Sequence, residues 1–156
     1  MAHRTVLEDR AILDQFLGDE GVVELVSQLV KKPYKRLVLR GNCLGEPGAA
    51  ALADYIGKTE VLEELSLEWN QIGSAGARHI ARALERNVSL TTLDLRNNNI
   101  RNDGAVALAQ AMTINKSLRS IDLRWNRLED GGATAFKAAI LNRVPRLMLQ
   151  VSGNHL

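Results

Sequence analysis

Leu90-Thr91-Thr92-Leu93-Asp94-Leu95-Arg96-Asn97-Asn98-Asn99-Ile100 is the stretch that decides how this chain folds. Apolar residues fall at positions 1, 4, 6 and 11 of that eleven-residue frame, and Asn98 holds position 9. The frame recurs from Leu62, ending in Asn70 and Ile72, and from Leu118, ending in Asn126 and Leu128. It also fits from Tyr34 (Leu37, Leu39, Asn42, Leu44) and, more loosely, from Arg146 (Leu149, Val151, Asn154, Leu156). Each copy starts 28 residues after the last, with no insertion or deletion. A fixed period of that size marks a solenoid, whose units are too small to bury their own apolar faces and must stack on neighbours.

Within the frame, Leu93 and Leu95 alternate with Asp94 and Arg96, the period-two pattern of a strand with one buried face. After Ile100 the apolar residues become Ala105, Leu108, Ala109 and Met112, the spacing of an amphipathic helix. These residues resemble the repeats of leucine-rich repeat proteins, and the spacing is similar to that of their ribonuclease-inhibitor-like subclass. The resemblance implies a right-handed α/β solenoid with parallel strands on the concave face and helices on the convex face. The strand ends read LSLEWN, LDLRNN and IDLRWN. They resemble the repeat domains of centrosome-linker proteins, and NOD-like receptor repeats share much of the vocabulary. The expected layout is one domain over residues 1–156, with a degenerate capping repeat over 1–33. Repeats then start at 34, 62, 90 and 118, with a truncated one at 146, giving five parallel strands.

A chain of 156 residues with 46% apolar content suits one folded domain. Its net charge of +2 gives no strong attraction to nucleic acid or membrane, and neither is expected as a partner. No apolar run approaches the roughly 20 residues of a membrane span. The single cysteine, Cys43, rules out an intramolecular disulfide framework and fits a reducing compartment. Met1 to Asp9 contain no apolar core of a secretory signal. A cytoplasmic address is therefore expected, and the resemblance adds a centrosomal or cytoskeletal association.

Phe16-Leu17-Gly18-Asp19-Glu20-Gly21 echoes Cys43-Leu44-Gly45-Glu46-Pro47-Gly48, one residue out of phase. Val22, Leu25, Val26, Leu29 and Val30 then form a helical apolar stripe closed by Lys31, Lys32 and Pro33, as expected of a capping unit over the first strand. In the later repeats Ser74, Asn102 and Asp130 precede each helix, where a short polar side chain can accept orphan backbone N–H bonds. Glu46 takes that place in the first copy, before Pro47. Gly48, Gly76, Gly104 and Gly132 follow two residues later. Leu52, Ile80, Leu108 and Phe136, then Ile56, Leu84, Met112 and Ile140, are assigned to the core. Asn87 and Asn115 recur at helix ends, where asparagine tolerates a left-handed conformation; Arg143 holds that place in the last copy.

Asn42, Asn70, Asn98, Asn126 and Asn154 could be read as a polar ligand column. The resemblance implies instead a buried structural ladder, and the chemistry agrees, because stacked amides offer both donors and acceptors to a buried turn. No catalytic constellation emerges. Gly41-Asn42-Cys43-Leu44-Gly45 lacks the Gly-Lys-Ser/Thr ending of a phosphate loop. His3, His79 and His155 share no metal-ligand spacing with Cys43 or each other, and His79 is assigned to solvent. Asn87-Val88-Ser89 and Asn115-Lys116-Ser117 are formal glycosylation sequons that recur because the helix end recurs. The expectation is no enzyme, no metal and no cofactor.

The strand face remains. Positions 3, 5, 7 and 8 point away from the core, and equal positions align in columns across strands about 4.8 Å apart. Position 7 reads Arg40, Glu68, Arg96, Arg124, Ser152, and position 5 reads Val38, Ser66, Asp94, Asp122, Gln150. Position 8 reads Gly41, Trp69, Asn97, Trp125, Gly153 and so contains both tryptophans of the chain. Exposed Trp beside Arg and Asp is the composition of an interaction hot spot. The assigned protein-binding residues are Trp69, Trp125, Glu68, Arg96, Arg124, Asp94 and Asp122; the competing reading is a solvated face on which Glu68 bridges Arg40 and Arg96 and each Trp packs over the strand end.

The expected function is a protein-interaction module or scaffold, in the setting of a centrosomal or cytoskeletal assembly. The alternative is a GTPase-activating or GTPase-binding protein resembling the Ran activator. Ribonuclease inhibition is disfavoured, since that family is cysteine-rich. Arg146 replaces the leucine of position 1, and Lys137 the alanine seen at Ala53, Ala81 and Ala109. The final helix and last strand are therefore expected to lie open, with either a further repeat or self-association covering them.

Overall fold

The computed structural model describes the backbone of residues 3–7 and 10–14 and the whole of residues 16–156. Along the chain run β1 (His3–Leu7), β2 (Arg10–Asp14), α1 (Gly18–Lys31), β3 (Arg36–Val38), α2 (Glu46–Ile56) and β4 (Glu64–Ser66). They are followed by α3 (Gly73–Leu84), β5 (Thr92–Asp94), α4 (Asn102–Ile114), β6 (Ser120–Asp122), α5 (Asp130–Ile140) and β7 (Met148–Gln150). The strands form one sheet in chain order, and β3 to β7 pair in parallel with Leu37, Leu65, Leu93, Ile121 and Leu149 in one register row. Every strand-to-strand connection from β3 onward carries a helix on the same side, giving the α/β solenoid.

Two strands precede the five expected. β2 pairs in parallel with β3, and β1 folds back antiparallel on β2, so the stretch assigned to a degenerate cap extends the sheet at its first edge. Its helix buries Val22, Leu25 and Leu29, but Val30 is 70% exposed. One residue beyond Leu29 turns a side chain by about 100°, past the edge of the buried stripe.

Each repeat is built by the same division of labour. Leu93 and Leu95 point inward from and just beyond β5, while Ala105, Leu108, Ala109 and Met112 line the buried face of α4, all of them essentially inaccessible to water. Burying a leucine side chain contributes about 2 kcal/mol, and the rows of leucine and isoleucine stack continuously from repeat to repeat. At the far end α5 buries only Gly132 and Phe136, Lys137 is exposed, and Ile140, Leu149 and Val151 are half-buried.

The glycines at the helix starts mark where the helices touch. A Cβ on Gly104 would sit 2.9 Å from the Ser74 backbone Cα, and one on Gly132 would meet Asn102 Oδ1 at 2.9 Å. The expected caps Ser74, Asn102 and Asp130 lie within the first turns of α3, α4 and α5, contrary to expectation: the cap positions are Ile72, Arg101 and Glu129, and none makes a side-chain cap hydrogen bond. Asp19, Ser74 and Asn102 serve the next helix instead. Asp19 Oδ1 accepts from the N–H groups of Gly45 and Gly48 at 2.8 and 2.9 Å, and Asn102 Oδ1 from those of Glu129 and Gly132 at 2.9 and 3.0 Å. Ser74 Oγ accepts from Arg101 N at 3.0 Å. Close stacking puts the neighbouring helix's orphan donors nearer than the residue's own.

Candidate functional site

The asparagines of position 9 lie at the turn where each strand leaves the sheet. Asn126 is typical. Its Oδ1 accepts from the N–H groups of Asn98 and Ile100, both at 3.0 Å, and its Nδ2 donates to the carbonyls of Leu95 and Leu123 at 2.9 and 3.1 Å. Asn70 and Asn154 repeat the pattern, Asn98 reaches Leu67 O at 2.8 Å, and Asn42 accepts from Leu17 N at 3.2 Å. Every amide is thus occupied by backbone of its own and the preceding repeat. A ligand would find these groups already bonded.

A second ladder runs along the helix ends, where the sequence had suggested left-handed asparagines. Asn115 has φ −64° and ψ 128°, and Asn87 is not among the positive-φ residues. Both side chains are instead brackets to the preceding repeat: Asn87 Nδ2 donates to Ile56 O at 2.7 Å, and Asn115 Nδ2 to Leu84 O at 2.8 Å. Arg143 takes over the role in the last copy, its guanidinium donating to the carbonyls of Asn115, Leu118 and Pro145. Burial pushes its pKa down, with Arg119 adding repulsion. The two sequon asparagines are buried with their amides bonded, so the folded domain offers neither for glycosylation.

On the strand face the five charged residues among those assigned are brought together and paired with each other and with Arg40. Asp94 holds Arg96 in a two-pronged contact, Nε to Oδ1 at 3.0 Å and Nη2 to Oδ2 at 2.7 Å. Asp122 holds Arg124 with the same two distances. The motif Asp-Leu-Arg sets this up: residues two apart on a strand share a face, and the planar guanidinium matches a carboxylate edge to edge. Glu68 bridges Arg96 at 3.1 Å and Arg40 at 3.4 Å, and Arg96 reaches Asp122 at 3.5 Å. Three arginines and three carboxylates form one neutral network across four repeats. The bond to Asp94, against partial desolvation and with the charges of Glu68 and Asp122, raises the Arg96 pKa; the bond to Asp122 raises that of Arg124. Arg40 is the most open of them, with 62% of its side chain exposed.

The tryptophans are placed differently. All five residues of position 8 (Gly41, Trp69, Asn97, Trp125 and Gly153) have φ between 54° and 74°. This left-handed step swings the side chain from the strand face toward the rim where the chain climbs to the helices. Glycine or asparagine takes it at little cost, but a bulky residue there is strained by about 1 kcal/mol or more. Trp69 and Trp125 are 56% and 61% exposed. The Trp125 ring lies against the Gly153 backbone, so close that a Cβ on Gly153 would fall 2.5 Å from it. Both indoles line one open groove of about 380 Å³ with Asn97, Asn99, Arg127 and His155. Sequence reasoning stopped at position 8 and missed Asn99, Arg127 and His155. They stand at position 10 of successive frames, a column the same 28-residue spacing would have exposed.

Elsewhere, His79 is half-exposed with Nε2 3.4 Å from Glu46 Oε1, and His3 falls among side chains outside the described residues. Among the described residues no His/Cys/Asp/Glu cluster with metal-binding geometry occurs, and no helix is long and apolar enough to cross a membrane.

No curated protein sequence matches the chain. Among solved structures it is similar to leiomodin-1 actin-binding site 2, with a TM-score of 0.73 over 83% of this chain and 76% of that one, at 16% identity. At that identity the likeness is one of fold. A family model described as Leucine Rich repeat matches residues 35–53, 60–81, 86–109 and 115–137, more than half of the sequence. Each matched segment runs from one of the strands β3 to β6 into the helix behind it and holds one asparagine of the position-9 ladder, and the chain belongs to the leucine-rich repeat family.

Proposed function

We propose that this domain is a non-catalytic interaction module that binds another protein through the rim of its strand face, with Trp69 and Trp125 as the anchors. One observation carries the reading: two large aromatics stand more than half exposed, in one groove, at backbone positions where glycine or asparagine would be less strained. Exposed indoles gain by burial against a partner, and strain held at a surface position points to use rather than to stability. The neutral network of Arg40, Glu68, Asp94, Arg96, Asp122 and Arg124 forms a stiff polar floor beside them, which orients a partner more than it attracts one. A cytoplasmic scaffold in a cytoskeletal or centrosomal assembly is the setting we infer. The fold likeness to leiomodin-1 actin-binding site 2 and the resemblance of the strand ends support it. The open face of α5 and β7 serves in this reading as a second contact, toward another copy of the chain, to be tested by sedimentation over a range of concentrations.

The test compares intact protein with a Trp69→Ala/Trp125→Ala double variant in affinity capture. Truncating either anchor should cost about 2 kcal/mol of binding if it is a hot spot. Folding stability should change little, because lost packing and relieved strain oppose each other. A partner retained at full affinity by the double variant would refute the reading. The alternative, GTPase activation or binding, asks for an exposed arginine or asparagine placed against a nucleotide; Arg96 and Arg124 are tied to carboxylates, which leaves Arg127, Asn97 and Asn99 of the groove to supply it. Faster GTP hydrolysis by any small GTPase on adding the domain would favour that alternative.

A further inference from the structure

Resting on the protein-binding reading of the same groove, we propose that it takes a proline-rich, acidic segment in the polyproline II conformation. Prolines three residues apart would lie on Trp69 and Trp125, with a carboxylate on Arg127.

Spacing is the first argument. The tryptophans belong to repeats two strands apart, which puts their backbone positions about 10 Å from each other. A polyproline II helix advances about 9.3 Å per three-residue turn, so residues three apart return to the same face at almost that interval. Side chains on one face of an extended β peptide recur every ~6.7 Å. An α-helix, with a pitch of ~5.4 Å, meets the interval only at every second turn. The anchors agree: Trp125 packs closely on Gly153 and is still 61% exposed, an apolar platform for a pyrrolidine ring.

Hydrogen bonding is the second. The amides of Asn97 and Asn99 make no side-chain hydrogen bond among the described residues, and both line the groove. A polyproline II segment has no internal hydrogen bonds, so its carbonyls are free acceptors. Backbone N–H groups, which a proline-rich segment largely lacks, are not required of it here.

Charge is the third. No carboxylate lines the groove, and Arg127 is its one permanently charged residue. Arg101 sits beside it through the Arg101–Arg127 bridge, and neither arginine has an ion pair among the described residues. This wall contrasts with the strand face, where Arg96 and Arg124 are neutralised in place. An acidic flank complements it, and a lysine-rich one is repelled.

The experiment titrates the intact protein with a short synthetic peptide carrying Pro-X-X-Pro between glutamates, read by intrinsic fluorescence. Both tryptophans of the chain lie in the groove, so the signal has one origin. We expect saturable binding, weakened at least tenfold when the two prolines become alanine, when the glutamates become lysine, and in Trp69→Ala or Arg127→Glu protein. Circular dichroism melts of both variants, whose side chains lie outside the core, establish that they are folded, and Trp69→Ala keeps Trp125 as reporter. No binding, or equal binding of the alanine peptide, overturns the proposal. A protein partner lost from the double tryptophan variant but not displaced by excess peptide also overturns it while leaving the broader binding reading standing. A partner indifferent to the tryptophans removes both.

Discussion

Replacing Asn126 by alanine tests the ladder where it is most enclosed. The change removes five hydrogen bonds at once, four close ones to Asn98 N, Ile100 N, Leu95 O and Leu123 O and a longer one to Arg124 O at 3.4 Å. Leu95, Leu123 and Ile100 are fully buried and Asn98 likewise, so the released groups face protein. A buried backbone group left without a partner costs about 1–3 kcal/mol. Four such groups at the middle of that range sum to ~8 kcal/mol, and one water entering the vacated amide volume would satisfy about half of them, leaving ~3–5 kcal/mol. Such a loss is a large share of a domain's total stability of ~5–15 kcal/mol. Asn154 makes the matching bonds at the open end, where its side chain is half-buried and water reaches the same groups, so Asn154→Ala should cost only ~1–2 kcal/mol. Urea unfolding followed by far-ultraviolet circular dichroism measures both, with tryptophan emission as the check that the transition is a single one. A cost below about 1 kcal/mol for Asn126→Ala, or one no greater than that of Asn154→Ala, would refute the claim that the ladder holds the turns together.

Asn102→Ala should cost about 1 kcal/mol by uncapping α5 rather than its own helix, so hydrogen exchange should quicken at Glu129 and Gly132 while the first turn of α4 stays protected. Gly104→Ala reverses the usual gain of ~1 kcal/mol for removing a helical glycine, because the added methyl meets Ser74 backbone; a raised melting temperature would contradict the close approach. Arg143→Ala leaves three carbonyls without their donor and should destabilise by ~2–4 kcal/mol, part of which Arg143→Asn recovers by restoring the amide of the other repeats. Asp103 has a lowered pKa, chiefly through the Ser74 hydroxyl, then the Gly104 N–H and the Arg78 contact. Its contribution is therefore complete above the unfolded value of about 3.9 and lost as pH falls below it, so acid unfolding should begin at higher pH in wild type than in Asp103→Asn once both are matched at pH 7.

Position 8 separates what could be read in the sequence from what could not. Its two tryptophans, their shared column and their exposure follow from counting in steps of 28, because a repeat with no insertions maps sequence spacing directly onto stacking order. Their direction did not follow. The positive φ that turns them to the rim belongs to a turn whose geometry is imposed by the buried asparagine one residue later, and no propensity of tryptophan announces it. For the charges of positions 5 and 7 the sequence left a recognition face and a Glu68 bridge to Arg40 and Arg96 both open; the distances show the bridge, and show as well that Asp94 and Asp122 close on Arg96 and Arg124, which the spacing had not suggested.

From residue 34 onward the sequence by itself determined the strands and helices, their order, the buried rows and the asparagine column, because each is a local periodicity that the next copy repeats; β1 and β2, outside that periodicity, it did not. The tertiary structure alone decided which repeat a polar side chain serves. Asp19, Ser74 and Asn102 stand at the starts of their own helices yet bond to the following one, and Asn87, Asn115 and Arg143 reach back to the preceding one. A buried N–H or carbonyl takes the partner closest in space, and in a stack of thin units that partner sits on the neighbouring repeat, a whole period away along the chain.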